Sequence, residues 1–185
     1  MSETDLNPQA LEEKGKRLFA QEQYKDAAER FLLAERAFAE AGDELKVAEM
    51  LNNAGVAYRR DRKHKEAADV LERARQSFAD LGDRGREAQT LGNLGGLYSM
   101  MKRYDESEAS FKKAIEIFEA SDERAQHAQT LRAMAIMKFK RGPRSEALTL
   151  YEEALYFLPN PTFLQRVLRF LLKLRGWVMR LSPFK

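Results

Sequence analysis

A single spacing governs this sequence. Gly15, Gly55 and Gly95 recur every 40 residues, and Ala135 takes the fourth place. Leu11, Leu51, Leu91 and Leu131 keep the same period, as do Ala27, Ala67, Ser107 and Ala147. Phe31, Leu71, Phe111 and Tyr151 form another column; Ala34, Ala74, Ala114 and Ala154 a further one; Phe38, Phe78, Phe118 and Leu158 the last. Columns held in register over four units point to a stack of similar modules, each burying its face against its neighbours.

Within a module the spacing is helical. Positions 27, 31, 34 and 38 lie four, three and four apart, so they share one face of a 3.6-residue turn. Leu51, Ala54, Gly55 and Tyr58, and again Leu91, Leu94, Gly95 and Tyr98, make the matching stripe in the first half of a unit. A glycine inside a helix costs about 1 kcal/mol against alanine. Its return at one column, with alanine as the fourth member, predicts a close helix crossing. Alternation of period two is missing, and alanine, leucine, glutamate, lysine, arginine and glutamine dominate, which argues against strands.

Gly42-Asp43, Gly82-Asp83 and Ser121-Asp122 fall between units, where glycine closes one helix and aspartate caps the next. The resulting helices cover 8–20, 24–40, 44–60, 64–80, 84–101, 104–120, 124–141 and 144–157, with a ninth over 161–181 after the Pro159-Asn160-Pro161 break. Residues 1–7 are expected to be a flexible N-terminus, 8–159 four repeats (8–42, 43–82, 83–122, 123–159), and 160–185 a basic amphipathic helix.

The columns "LNNAGVAY" and "LGNLGGLY", each following a Gly-Asp linker, with Ala67, Leu71, Ala74 and Ser107, Phe111, Ala114 downstream, resemble the tetratricopeptide repeat family. The 40-residue length is similar to the long variant of kinesin light chains and cell-polarity adaptors; the common family repeat is shorter, and Pro159 matches the closing proline column only in the last unit. The resemblance implies an all-α, right-handed superhelical solenoid of four helix pairs plus a C-terminal helix. It also implies that a protein or peptide segment binds along the first helices of the pairs. Carried onto this sequence, the groove positions are Gln9, Glu12, Glu13 and Lys16 in the first unit and Glu49, Asn52, Asn53, Val56, Arg59 and Arg60 in the second. The third unit supplies Gln89, Asn93, Gly96, Ser99 and Met100, and the fourth Gln129, Arg132, Ile136 and Lys140. Asparagine can pair with both the donor and the acceptor of a partner's backbone, so Asn53 and Asn93, at one column, are the best placed. Glu13 and Ala133 stand in that column elsewhere, so the set that clamps a terminal carboxylate in some relatives is incomplete.

Charge separates the two ends. Residues 161–185 carry six Lys and Arg and no Asp or Glu, whereas the whole chain is only +3. Arg166, Arg169, Lys173 and Arg180 share a narrow stripe; Phe163, Val167, Phe170, Leu171, Leu174, Trp177 and Val178 belong to the apolar remainder. A terminal cap should show a polar outer face, and this helix has too little. Its spare apolar surface is compatible with an anionic membrane surface, a second copy of the chain, another protein, or a plain cap. Basic within-unit turns (Arg59 to Lys65, Lys102-Arg103, Lys138 to Arg144) add cations, but no aromatic residues punctuate them, so nucleic acid is disfavoured as a partner.

Chemistry is sparse. Cysteine is absent, and the two histidines, His64 and His127, have no neighbouring nucleophile or carboxylate, so no metal, cofactor or catalytic site is expected. The start MSETDLNPQA lacks the order of a signal peptide, and no run of 18 apolar residues exists. The expectation is a cytoplasmic, non-catalytic scaffold or adaptor, with peripheral membrane contact through its last helix. The alternative is a self-assembling protein whose last helix docks on a neighbouring subunit.

Overall fold

The computed structural model describes residues 7–159 and 161–181. Among them every regular element is a helix: α1 (Pro8–Ala20), α2 (Tyr24–Glu40), α3 (Glu44–Arg60), α4 (His64–Asp80), α5 (Arg84–Met100), α6 (Tyr104–Ala120), α7 (Arg124–Arg141), α8 (Arg144–Phe157) and α9 (Phe163–Leu181). The chain divides into two compact units, Met1–Ala114 and Ile115–Lys185, with the division inside α6. The side chains of Lys173, Trp177, Val178 and Arg180 lie outside the described residues, as does most of the N-terminal segment 1–7; Asn7 is described, and its side chain caps α1 by accepting from the Gln9 and Ala10 amides.

The turns account for the regularity. Glu22, Gly42, Arg62, Gly82, Lys102 and Asp122, spaced by 20 residues, all take positive φ between 56° and 76°. At each, the following amide reaches back across the helix end, as from Gln23 to the Leu18 carbonyl and from Asp43 to Phe38. This is the glycine-type helix stop, here built from charged residues at four positions and from glycine at two. Asp43 and Asp83 then cap α3 and α5 as expected, each accepting from an amide three residues on at 3.0 Å. The third boundary differs. Asp122 occupies the left-handed position itself, so Glu123 precedes α7 and makes no side-chain cap. At the C-terminal break, Thr162 and Gln165 cap each other reciprocally, so α9 starts at Phe163 and not at Pro161.

In the first unit, successive helices from α1 to α5 pack each on the next. The glycine column sits at the crossing within each pair. A Cβ on Gly15 would lie 2.7 Å from the Phe31 ring, one on Gly55 2.5 Å from Leu71 Cγ, and one on Gly95 2.8 Å from the Phe111 ring. The large residue sixteen positions on fills the space that the missing side chain leaves. Ser107, in the alanine column, is fully buried and donates to the Gly95 carbonyl at 2.7 Å, so its hydroxyl costs little. In the second unit, Leu131, Met134 and Ala135 of α7 are buried with Ala147, Ala154 and Leu155 of α8, and α8 also contacts α9. His64, expected in an exposed turn, is half-buried because α4 begins at it. His127 is buried with its ring 4.4 Å from that of Phe157.

Candidate functional site

The first helices of the first three repeats, α1, α3 and α5, bring their polar faces together around a cavity of about 380 Å³. Its floor is a charge ladder. Lys16 pairs with Glu12 and Glu13 at 2.8 Å; Lys46 bridges Glu12 at 3.3 Å and Glu49 at 2.9 Å; Arg86 bridges Glu49 at 3.1 Å and also pairs with Asp83. Acid and base alternate across three repeats, and Glu12, Lys46, Glu49 and Arg86 are shared between helices. Burial works to raise the Glu12 carboxyl, but the hydrogen bonds from Lys16 and Lys46 outweigh it and hold the group below its ordinary value. The same pairing raises Lys16, through Glu12 and then Glu13, and raises Lys46 chiefly through Glu49. Asn52 closes the next layer. Its side-chain oxygen accepts from the Asn93 amide at 3.2 Å and from Thr90 at 3.4 Å.

Three polar groups on these helices are not spent in that way. Asn53 and Gln89 line the cavity, and neither side chain makes a hydrogen bond among the described residues. Arg59, half-buried, lies across α5: it donates to the Asn93 carbonyl at 3.4 Å, and its guanidinium sits 3.2 Å from where a Gly96 Cβ would be. Among the described residues it pairs with no carboxylate. Burial, followed by repulsion from Arg60, lowers its pKa, opposite in direction to the paired Lys16, Lys46 and Arg86.

Two forms of the tetratricopeptide repeat signature match the sequence, one over residues 86–158 and one over 47–78. This chain is a tetratricopeptide repeat protein. Such repeats generally mediate protein–protein contact, and the family is typically non-catalytic. No curated protein matches the sequence. Among solved structures, BtubC (BKLC) from P. vanneervenii is similar with a TM-score of 0.74, covering 88% of this chain and 70% of its own at 24% identity. That likeness is one of fold, and the fold class is an all-α helical-repeat solenoid.

In this repeat protein the expected groove residues do not all meet. Glu12, Lys16, Glu49, Asn52, Asn53 and Gln89 line the one cavity; Asn93 joins it through Asn52. Val56 and Arg60 lie further along α3, and Met100, half-exposed, at the end of α5, all outside that lining. In the second unit, Gln129 and Arg132 border a smaller cavity of about 140 Å³ with Tyr151, Leu155, Leu158 and Gln165. Ile136 and Lys140 are exposed on α7 away from it. Sequence reasoning missed Lys46, Arg86 and Thr90. A signal existed: Lys46 and Arg86 share a column, three residues before Glu49 and Gln89. Among the described residues no cluster of metal-ligating side chains occurs, and no helix is long and apolar enough to cross a membrane.

Proposed function

We propose that this repeat protein is a non-catalytic scaffold that holds an extended or helical segment of a partner protein against α1, α3 and α5, with α9 as a second attachment surface. The carrying observation is the division of labour among the groove's polar groups. The ladder from Lys16 to Asp83 neutralises itself and fixes the helix spacing. Asn53 and Gln89 are left with free amides, and Arg59 with no carboxylate. An amide offers a donor and an acceptor together, which suits a partner's backbone, and a guanidinium suits an acidic side chain in two-point contact. Paired charges would have to be broken before they served a ligand; free ones would not.

The test starts with the proteins that co-purify with the full chain, whose affinities are then measured for the natural sequence and for Asn53→Ala with Arg59→Gln. The expected result is a loss of about 2 kcal/mol or more in binding with little change in melting temperature. Unchanged affinity for every co-purifying protein would remove these residues from the site.

A further inference from the structure

The last helix is docked by the side opposite to the one a cap would use. Gln165, Arg169 and Leu172 are its half-buried positions. Gln165 faces the small cavity beside Tyr151 and Leu155, and the Arg169 guanidinium lies 5.5 Å from the centre of the Tyr156 ring. The edge of α9 that rests on α8 therefore carries Gln165 and Arg169 with Leu172, and not the apolar arc. Phe163, Val167, Phe170 and Leu174, spaced four, three and four, point away with Leu164 and Leu171 beside them. Phe163 is 78% exposed, Leu164 75% and Phe170 65%. An isolated exposed leucine is ordinary, but a continuous arc of this kind calls for an occupant.

Charge selects among occupants. Arg166 is exposed on the rim of the arc; it donates to the Pro161 carbonyl at 3.3 Å and among the described residues pairs with no carboxylate. No Asp or Glu follows Glu153 in the sequence, while six Lys and Arg do. A second copy packed arc to arc would set one cationic rim against another; Glu152 and Glu153 lie with Arg169 on the docked side of α9, not on the arc. A bilayer interface offers both things the helix lacks: an acyl boundary for the arc and anionic headgroups for the rim. With no helix among the described residues fit to cross a bilayer, the helix would lie along the surface. We propose that α9 lies in the plane of an anionic lipid surface, with the arc from Phe163 to Leu174 in the headgroup–acyl boundary and Arg166 among the headgroups. This rests on reading α9 as an attachment surface.

The test uses the full chain and two vesicle types, phosphatidylcholine alone and the same with about a third phosphatidylserine. The chain is expected to sediment with the anionic vesicles and not with the neutral ones, and to be released several-fold as salt rises from about 0.1 M to about 0.5 M. Replacing Phe163, Phe170 and Leu171 together by Glu should lower the bound fraction at least about tenfold, and Arg166→Gln about fivefold. These side chains are exposed, so an unchanged melting curve confirms that the variants fold. Equal binding to both vesicle types, unaffected by Arg166→Gln, overturns the anionic surface. Absence of vesicle binding overturns lipid as the occupant. In that case, if the triple variant still changes the particle mass by light scattering or strips a co-purifying protein, α9 remains an attachment surface for a second copy or another protein. If it behaves as the natural chain in all three measurements, the attachment surface falls as well.

Discussion

The repeats and the last helix use the same residue types to opposite ends. In α1 to α5 the column residues Leu11, Phe31, Phe38, Leu51, Leu71, Phe78 and Leu91 are shut between helices, and the groove's charges are traded between neighbouring repeats. In α9 Phe163, Leu164, Phe170 and Leu171 face outward, and among the described residues Arg166 has no carboxylate partner. The contrast follows from neighbours. A repeat helix is flanked by copies of itself, so each column can be matched by the next. Helix α9 has no copy of itself beside it; among the described residues it packs on α8 through Gln165, Arg169 and Leu172.

The sharpest way to break this comparison is to make one substitution in both regions. Phe111 is 1% exposed and fills the space over Gly95; Phe170 is 65% exposed. Phe111→Ala should lower the unfolding free energy by about 3–5 kcal/mol, because a large buried ring leaves a cavity. Phe170→Ala should change it by less than about 0.5 kcal/mol. Urea unfolding followed by circular dichroism measures both. A large loss at Phe170 would mean that α9 is held in the core and has no free arc.

Glycine gives the second, smaller contrast, this time within the repeats. Gly55→Ala places a methyl group 2.5 Å from Leu71 Cγ, a branched carbon with little room to retreat. Overpacking of this kind costs about 1–3 kcal/mol, more than the roughly 1 kcal/mol that alanine contributes to a helix. A Cβ on Gly92 would meet nothing within 4 Å. Gly92→Ala should therefore stabilise by about 0.5–1 kcal/mol. Opposite shifts in the denaturation midpoint check the pair, and a stable Gly55→Ala protein would remove the close crossing as the reason for the column.

The same contrast explains what could be read in advance. Helix ends fell within two residues of those expected from sequence, because the stops recur every 20 residues and glycine or aspartate marks half of them. Glu22, Arg62 and Lys102 carry no such mark, yet take the same left-handed backbone, since the register of the flanking helices imposes it. The family resemblance put Asn53 and Gln89 among the groove positions, and both line the cavity. It did not reveal that Asn52 and Asn93 are spent on each other, because a hydrogen bond between columns depends on side-chain reach across two helices. Nor did it fix which side of α9 meets α8: a helix outside the repeat has no column to consult, and its docking follows from Tyr156, Gln165 and the mutual cap at Thr162.

The ladder offers the smallest effect and the one with a pH signature. Glu12 is 6% exposed and bound by Lys16 and Lys46, so its carboxyl titrates lower in the folded protein than in the unfolded chain. The folded state then holds fewer protons than the unfolded one over that interval, and stability falls as pH drops. The Glu12 contribution is whole above the unfolded value of about 4.3 and is lost as pH falls through the folded value. Glu12→Gln should cost about 1–2 kcal/mol at neutral pH, as for a charge-assisted hydrogen bond whose lysine partners are partly solvated. The gap between the two proteins should begin to close below about pH 5 and vanish in stronger acid. Because Lys16 and Lys46 would each be left short of a carboxylate oxygen, high salt should narrow the gap as well. A gap that stays constant across the acid range would mean that Glu12 acts by filling space, and the self-neutralising ladder would no longer separate the groove from Arg166 of α9.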